Sequence, residues 1–196
     1  MRDAFYNDGS RRLQDRFETR PLADRLTERT LHGRLTDDDR ALVESATMFF
    51  FATADADGRP DCSYKGGDAG FVRAIDPGTL VFPSYDGNGM FRSLGNVLVN
   101  PWVGMLFIDF DRPKRLRING RATVHHQHEW LARVPEADLL VEVAVEDVFP
   151  NCPRYVHQLA RREASPYVPR PGCETPRPKW KDMDAFRDAL PPRDRR

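Results

Sequence analysis

Long apolar runs are missing from these 196 residues; the longest, Met48–Ala52, is far short of the twenty or so that a membrane-spanning helix needs. No apolar stretch follows the early arginines either, so neither a membrane span nor a signal peptide is expected. An excess of one charge is also missing, since 30 basic residues face 30 acidic ones. Such a chain has no general pull on nucleic acid or on an anionic membrane, and neither is expected as a partner. Cysteine is scarce. Cys62, Cys152 and Cys173 are odd in number and scattered, which excludes a disulfide scaffold and fits a reducing cytoplasm. Cys152 is expected as a buried thiol, because no third residue orients His157 toward it as a nucleophilic pair would require. His125, His126 and His128 have no cysteine or carboxylate pattern beside them to complete a zinc geometry, so a surface turn and no metal are expected. Internal repeats are absent. No basic stripe accompanies Phe49, Phe50 and Phe51, which makes them core rather than a base-stacking platform.

What is present is enough apolar material for one core, 40% of residues, under a heavily charged surface, 31% of residues. That describes one domain with appendages. The chain is organised around Leu80–Pro101. Leu80-Val81-Phe82 opens as a strand, and Pro83 is expected to stop the ladder for want of an N–H. Asp86-Gly87-Asn88-Gly89 is a dense turn. Behind it Phe91, Leu94 and Leu98 fall on one face of a short helix ending at Asn100-Pro101. Strand, glycine-rich loop and helix N-terminus together favour an anion such as a phosphate, with Arg92 and Ser93 in the first turn to complete the cradle.

Around this stretch the sequence divides into residues 1–45, 46–160 and 161–196. The first is a charged helical extension in which Leu13, Phe17, Leu22 and Leu26 mark turns broken near Pro21 and packed along the domain's outside. Thr36 with Asp37–Asp39 reads as an N-cap opening a further helix. In the second, Met48–Ala54 is a buried strand, Asp55-Ala56-Asp57-Gly58 a hairpin turn, and Arg59–Tyr64 the antiparallel return. After the bend Lys65–Gly70 come strands over Phe71–Ile75, Val103–Ile108, Arg115–Val124 and Leu139–Val148, with a short helix over His128–Arg133. Tight turns with few helices between strands predict a mainly β protein, a six-stranded antiparallel barrel with peripheral helices. Arg115, Arg117 and Arg121 share one strand face, where an anion or an acidic partner would relieve their repulsion; Arg117 is the most central. The third division is rich in proline and expected to be extended, with Trp180 anchoring its end and a last helix over Asp182–Leu190.

From about Ala46 to Cys152 this order of residues resembles the pyridoxamine 5'-phosphate oxidase-like family of flavin-binding split barrels. Four stretches carry the resemblance: Ser63–Gly66 leading into Gly70–Arg73, then Phe82–Asn96, then Asn100–Phe107, then Leu116–Ala122, with Val148–Pro153 closing. The resemblance implies FMN in a groove between the subunits of a homodimer, its phosphate held by basic side chains and loop amides. The matching positions here are Lys65, Arg73, Ser84, Asn88, Arg92, Ser93 and Arg115 or Arg117, with Lys65, Asn88, Arg92 and Arg117 on one groove. The vitamin oxidases carry an Arg-Lys pair after the central turn where this chain has Arg92-Ser93, and Asp86–Gly89 is longer here. They also close over substrate with a tryptophan-to-arginine signature, which Trp180-Lys181 echoes and which adds Trp180 to the candidate cofactor contacts. The resemblance implies an FMN-dependent oxidoreductase with no catalytic side-chain dyad and an unidentified small-molecule substrate. A deazaflavin-using reductase, a flavin- or haem-binding module without turnover, and an emptied structural barrel are the alternatives.

Overall fold

The computed structural model describes residues 5–195, and the chain forms two compact units that divide between Ala160 and Arg161. The first unit opens with helices α1 (Asp8–Arg16), α2 (Arg20–Thr30) and α3 (Asp37–Ser45). Pro21 starts α2 rather than breaking a longer helix: a proline in the first turn removes an N–H that has no helical partner there. Thr36 and Asp39 exchange hydrogen bonds in a capping box, so the start of α3 is set locally. Leu13, Phe17, Leu22 and Leu26 do not pack on the domain; neither α1 nor α2 buries a residue.

Seven strands follow rather than six: β1 (Met48–Ala54), β2 (Pro60–Gly66), β3 (Arg73–Asp76), β4 (Thr79–Tyr85), β5 (Trp102–Asp109), β6 (Lys114–His125) and β7 (Ala137–Asn151). All are antiparallel, in the order β2-β1-β5-β6-β7-β4-β3. The short edge strand β3 falls within the stretch expected as a strand over Phe71–Ile75 and one residue beyond it. Phe82 of β4 lies 5.0 Å from Phe49 and 5.3 Å from Phe51 of β1, although β1 and β4 are separated by three strands in the sheet. Only a rolled sheet brings those rings together, and its two free edges, β2 and β3, leave a split. Pro83 does not end β4. Beyond Val81 no strand among the described residues pairs with β4 on its β3 side, so a residue without an N–H is accommodated there.

Alternation sorts the side chains. Phe49 and Phe51 join Phe82, Met105, Phe107, Leu116 and Ile118 in the core, whereas Phe50 turns to the outer face and stays partly exposed. Gly120 sits at the register shift between β6 and β7, where a Cβ would run into the Ala144 carbonyl, so the bulge admits only glycine. Helix α4 (Arg92–Val99) closes one end of the roll. Its buried face is Ser93, Leu94, Asn96 and Val97, while Phe91 and Leu98, expected inward with Leu94, face solvent. The reason lies in two polar anchors: Asn96 Nδ2 donates to Thr53 Oγ1 at 3.0 Å and Ser93 Oγ lies 2.9 Å from Ser63 Oγ, which rotate the helix away from the purely apolar stripe.

The predicted helix over His128–Arg133 is a single 3₁₀ turn, Leu131–Arg133. In the second unit the chain has no helix or strand before Lys179, and the helix expected over Asp182–Leu190 is the single turn α5 (Asp184–Arg187). Ion pairs from Arg177 to Asp182 at 2.8 Å and from buried Lys181 to Asp194 at 2.9 Å tie this end into a knob.

Candidate functional site

β4 runs directly into the loop Asp86–Met90 and then α4, so the glycine-rich turn stands at the mouth of the split. Gly89 takes φ +75° and Phe91 takes φ +48°, a left-handed conformation unusual for an aromatic residue. A left-handed residue followed by the right-handed first turn of α4 turns successive N–H groups to one side, the nest arrangement that suits an anion. Among the described residues no side chain caps this helix start, which leaves its first N–H groups open. Arg92 is exposed and has no ion pair or hydrogen bond among the described residues.

Holding Phe91 left-handed costs roughly 1–2 kcal/mol, more than the backbone entropy that glycine would bring. Its side chain is 57% exposed, so little packing opposes a change. Phe91→Gly is therefore expected to stabilise the chain by about 0.5 kcal/mol. A urea midpoint that falls instead would show that the ring makes contacts of its own.

Lys65 is the second cation at the split. It pairs with Phe49 in the sheet register, so its side chain enters the inner face, where its Nζ lies 5.9 Å from the centre of the Phe51 ring. Burial pushes its ammonium below the ordinary lysine pKa, and the nearby Asp61 carboxylate opposes this in part. No hydrogen bond or ion pair satisfies it among the described residues. Ser93 ties the first turn of α4 to Ser63, and Lys65 lies two residues beyond Ser63 on the same face, about 7 Å along the strand. The lysine therefore reaches toward the open helix start.

The remaining expected residues fall in three groups. Ser84 follows Phe82 by two residues on the inward face of β4, at the same mouth. Asn88 is also there, but its amide is engaged within the loop: Oδ1 accepts the Met90 N–H at 3.0 Å and Nδ2 lies 3.3 Å from the Met90 sulfur. The Ser93 hydroxyl is likewise engaged, with Ser63 and, at 3.3 Å, with Asp61, so the backbone N–H is what Ser93 has to offer an anion. Arg117, by contrast, is across the sheet. Leu106 pairs with Phe50 on one side and Arg117 on the other, which puts Arg117 on the outer face, opposite Lys65. The single groove expected for Lys65, Asn88, Arg92 and Arg117 is not formed within one chain, because strand parity separates odd from even positions. Arg115 shares the outer face and donates through Nη2 to the Cys152 carbonyl. Arg73 stands 3.9 Å from Glu44 of α3, an ion pair that docks α3 on β3. Trp180 belongs to the second unit, where its ring meets Phe186 edge-on at 6.0 Å.

Two residues at the split escaped the sequence reading. Asp61 and Tyr85 carry no motif, and only the register and the end of β4 bring them there. Burial raises the Tyr85 phenol above its usual pKa, with the Asp68 carboxylate adding to it. The three histidines lie at the end of β6 and in the turn after it. His128 Nδ1 accepts the Trp130 N–H at 3.1 Å, which leaves its proton on Nε2, 3.5 Å from Glu142, and a protonated nitrogen does not ligate a metal. No metal-binding cluster occurs among the described residues. The buried thiol expected at Cys152 is exposed instead, because the chain leaves the sheet at Asn151. The backbone N–H of Arg154, and then its guanidinium, hold that thiol below its usual pKa.

A rolled antiparallel sheet, split along one side and closed at an end by a short helix with an open N-terminus, defines the split-barrel class of proteins. The family model for pyridoxamine 5'-phosphate oxidase matches residues 35–152, more than half of the sequence, and the chain belongs to that family. Among curated proteins, none matches. Among solved structures the chain is similar to HupZ of Group A Streptococcus, at 19% identity over 64% of this chain and 99% of that one, with a TM-score of 0.49. It is also similar to an FMN-binding protein from Syntrophomonas wolfei, at 13% identity over 71% and 96% with a TM-score of 0.46. The haem storage protein HutZ of Vibrio cholerae is a third, at 20% identity over 59% and 94% with a TM-score of 0.40. No helix among the described residues is long and apolar enough to cross a membrane.

Proposed function

We propose that this chain is an FMN-binding flavoprotein, an oxidoreductase acting on a small molecule, with the phosphate held at the split and a second copy covering the ring. The observation that carries the reading is Lys65: a partly desolvated ammonium with no hydrogen bond or ion pair among the described residues, on the same strand face as Ser63, which is bonded to the first turn of α4. A half-buried cation without an ion pair is unfavourable, and a phosphate monoester supplies both the charge and the acceptors that Lys65, Arg92 and the first N–H groups of α4 lack among the described residues. Bound FMN would supply the redox chemistry itself. The chain's part is then to hold the phosphate, exclude water on the Phe51 side and set the charge around the ring.

The second copy follows from the outer face. Tyr64, Phe50, Leu106, Arg117 and Phe149 form one row across β2, β1, β5, β6 and β7, an arginine set among apolar and aromatic groups. A barrel this narrow is filled by its own side chains, so a flavin ring must lie on its wall and needs a cover. A twofold partner provides it and makes two equivalent sites. Arg115 and Arg117, placed on the opposite face from Lys65, would serve a flavin held by the neighbouring chain.

Titration of the purified chain with FMN, followed by flavin fluorescence and absorbance, tests this reading. Arg92→Ala is expected to weaken binding by roughly ten- to a hundredfold with the fold retained, the value of one charge-assisted hydrogen bond. An unchanged affinity would take Arg92 out of the cradle. A parent protein that binds no FMN and shows a deazaflavin or haem band instead would replace the cofactor.

A further inference from the structure

The inner face of β2 carries three polar side chains in a row. Asp61, Ser63 and Lys65 pair with Thr53, Phe51 and Phe49, all three of them buried, so each points inward. The first turn of α4 rests on this row. Ser93 Oγ lies 2.9 Å from Ser63 Oγ and 3.3 Å from Asp61 Oδ2, and further along the helix Asn96 Nδ2 donates to Thr53 Oγ1 at 3.0 Å. Asp61 has no ion pair among the described residues, and its carboxylate acts at two places instead. It accepts the Ser93 hydroxyl at the positive end of α4, where a negative charge is favourable. It also opposes the effect of burial on the Lys65 ammonium. The helix start and Lys65, the two features proposed to hold a phosphate, therefore share one carboxylate.

We infer that Asp61 sets how tightly the split holds a phosphate, standing in for the anion in the flavin-free chain and opposing it once bound. The inference rests on the phosphate reading of the split and adds the residue that limits affinity there. A phosphate on the first N–H groups of α4 has the Ser93 N–H among its donors, and Asp61 is bonded to the hydroxyl of that same residue. Phosphate and carboxylate are thus gathered around one residue, at a separation comparable with the screening length of about 8 Å, and their repulsion is felt. Hydrogen bonding alone does not call for a carboxylate. An asparagine Oδ1 would accept the Ser93 proton without repelling an anion. What the carboxylate adds is charge, for Lys65 and for the helix start. Binding then replaces a weak counter-charge, acting without contact on Lys65, by a close one, against the repulsion of Asp61. That balance makes FMN a ligand the chain exchanges rather than retains.

The test is titration of the full chain, parent and Asp61→Asn, with FMN, riboflavin and inorganic phosphate, with FMN release timed by stopped-flow fluorescence. Asp61→Asn is expected to bind FMN about tenfold more tightly and to release it correspondingly more slowly, as removal of one nearby like charge predicts. Riboflavin, which carries no phosphate, is expected to bind parent and variant alike. Without flavin, Asp61→Asn is expected to lower the urea midpoint, and to lower it less when Lys65 is already methionine, because the two charges are coupled. Equal losses in the two backgrounds overturn the inference. An FMN affinity unchanged or weakened by Asp61→Asn, in a parent that binds FMN, overturns it too and leaves the flavin reading standing. So does equal tightening of FMN and riboflavin, since the effect would then lie in the packing of α4. A parent that binds no flavin, but whose Asp61→Asn variant binds inorganic phosphate more tightly, keeps the role of Asp61 and ends the flavin reading. A chain that binds neither ends both. Should Asp61→Asn fail to fold, Asp61→Ser, likewise polar and uncharged, is expected to tighten FMN binding in the same direction; loss of the fold in both overturns the inference.

Discussion

Lys65→Met is expected to weaken FMN binding by about a hundredfold, the upper part of the range for one charge-assisted hydrogen bond to a phosphate. The same change is expected to leave the flavin-free chain as stable as before or more stable. Both halves follow from the position of Lys65 on the inner face of β2, where its ammonium is partly desolvated and has no ion pair among the described residues. Methionine keeps the stem's apolar contact with Phe51 and removes the charge. The pH dependence has a definite sign. In the folded chain the ammonium titrates below the ordinary lysine value, so between those two pKa values the unfolded chain binds more protons. Stability contributed by this group therefore rises with pH across that alkaline window, and below it the burial of the charge is fully unfavourable. FMN affinity runs the other way and falls as the ammonium is lost. Flavin titration between neutral and alkaline pH, beside urea denaturation of parent and variant, reads both. A variant that binds FMN normally ends the role of Lys65, and one that unfolds more easily shows that its charge has a partner.

Phe49→Ala is expected to destabilise the chain by about 4 kcal/mol, within the 3–5 found for large aromatic truncations in cores. Phe49 is fully buried, and its ring stacks on Phe107 at 5.0 Å, meets Phe82 edge-on at 5.0 Å, and lies 6.1 Å from Phe51 and 5.9 Å from Phe71. Those neighbours come from β1, β4, β5 and the loop over the split, so the collapse of one cannot fill the cavity without moving the others. Against a total of about 5–15 kcal/mol the loss is large enough to read directly as a shifted urea midpoint. Phe50→Ala, one residue on and facing outward, should cost far less in the isolated chain. Equal losses at the two positions would show that the alternation assigned to β1 is wrong.

That pair of neighbours also marks how far local pattern reaches. The hairpin at Asp55–Gly58, the capping box of Thr36 and Asp39, the strand over Met48–Ala54 and the alternation in β6 are properties of adjacent residues, and were legible before any fold. So was the juxtaposition of a glycine-rich loop with a helix start, because β4, the loop and α4 are consecutive. Three decisions were not local. Helix α4 turned its polar anchors inward because Thr53 and Ser63, distant in sequence, were waiting on β1 and β2. Pro83 sits within a strand because β3 begins at Arg73, opposite Val81, and leaves the edge of β4 beyond it without a strand partner among the described residues. Lys65 and Arg117, both cations on strands, were parted by register: each strand pairing passes a residue's face to its neighbour, so one parity fixed at Phe49 and Phe50 propagates across four strands. The sequence by itself determined which residues turn, cap and alternate, because those depend on backbone preferences a few residues long. Only the rolled sheet decided which cations share the split, because that depends on pairings between segments far apart in the chain.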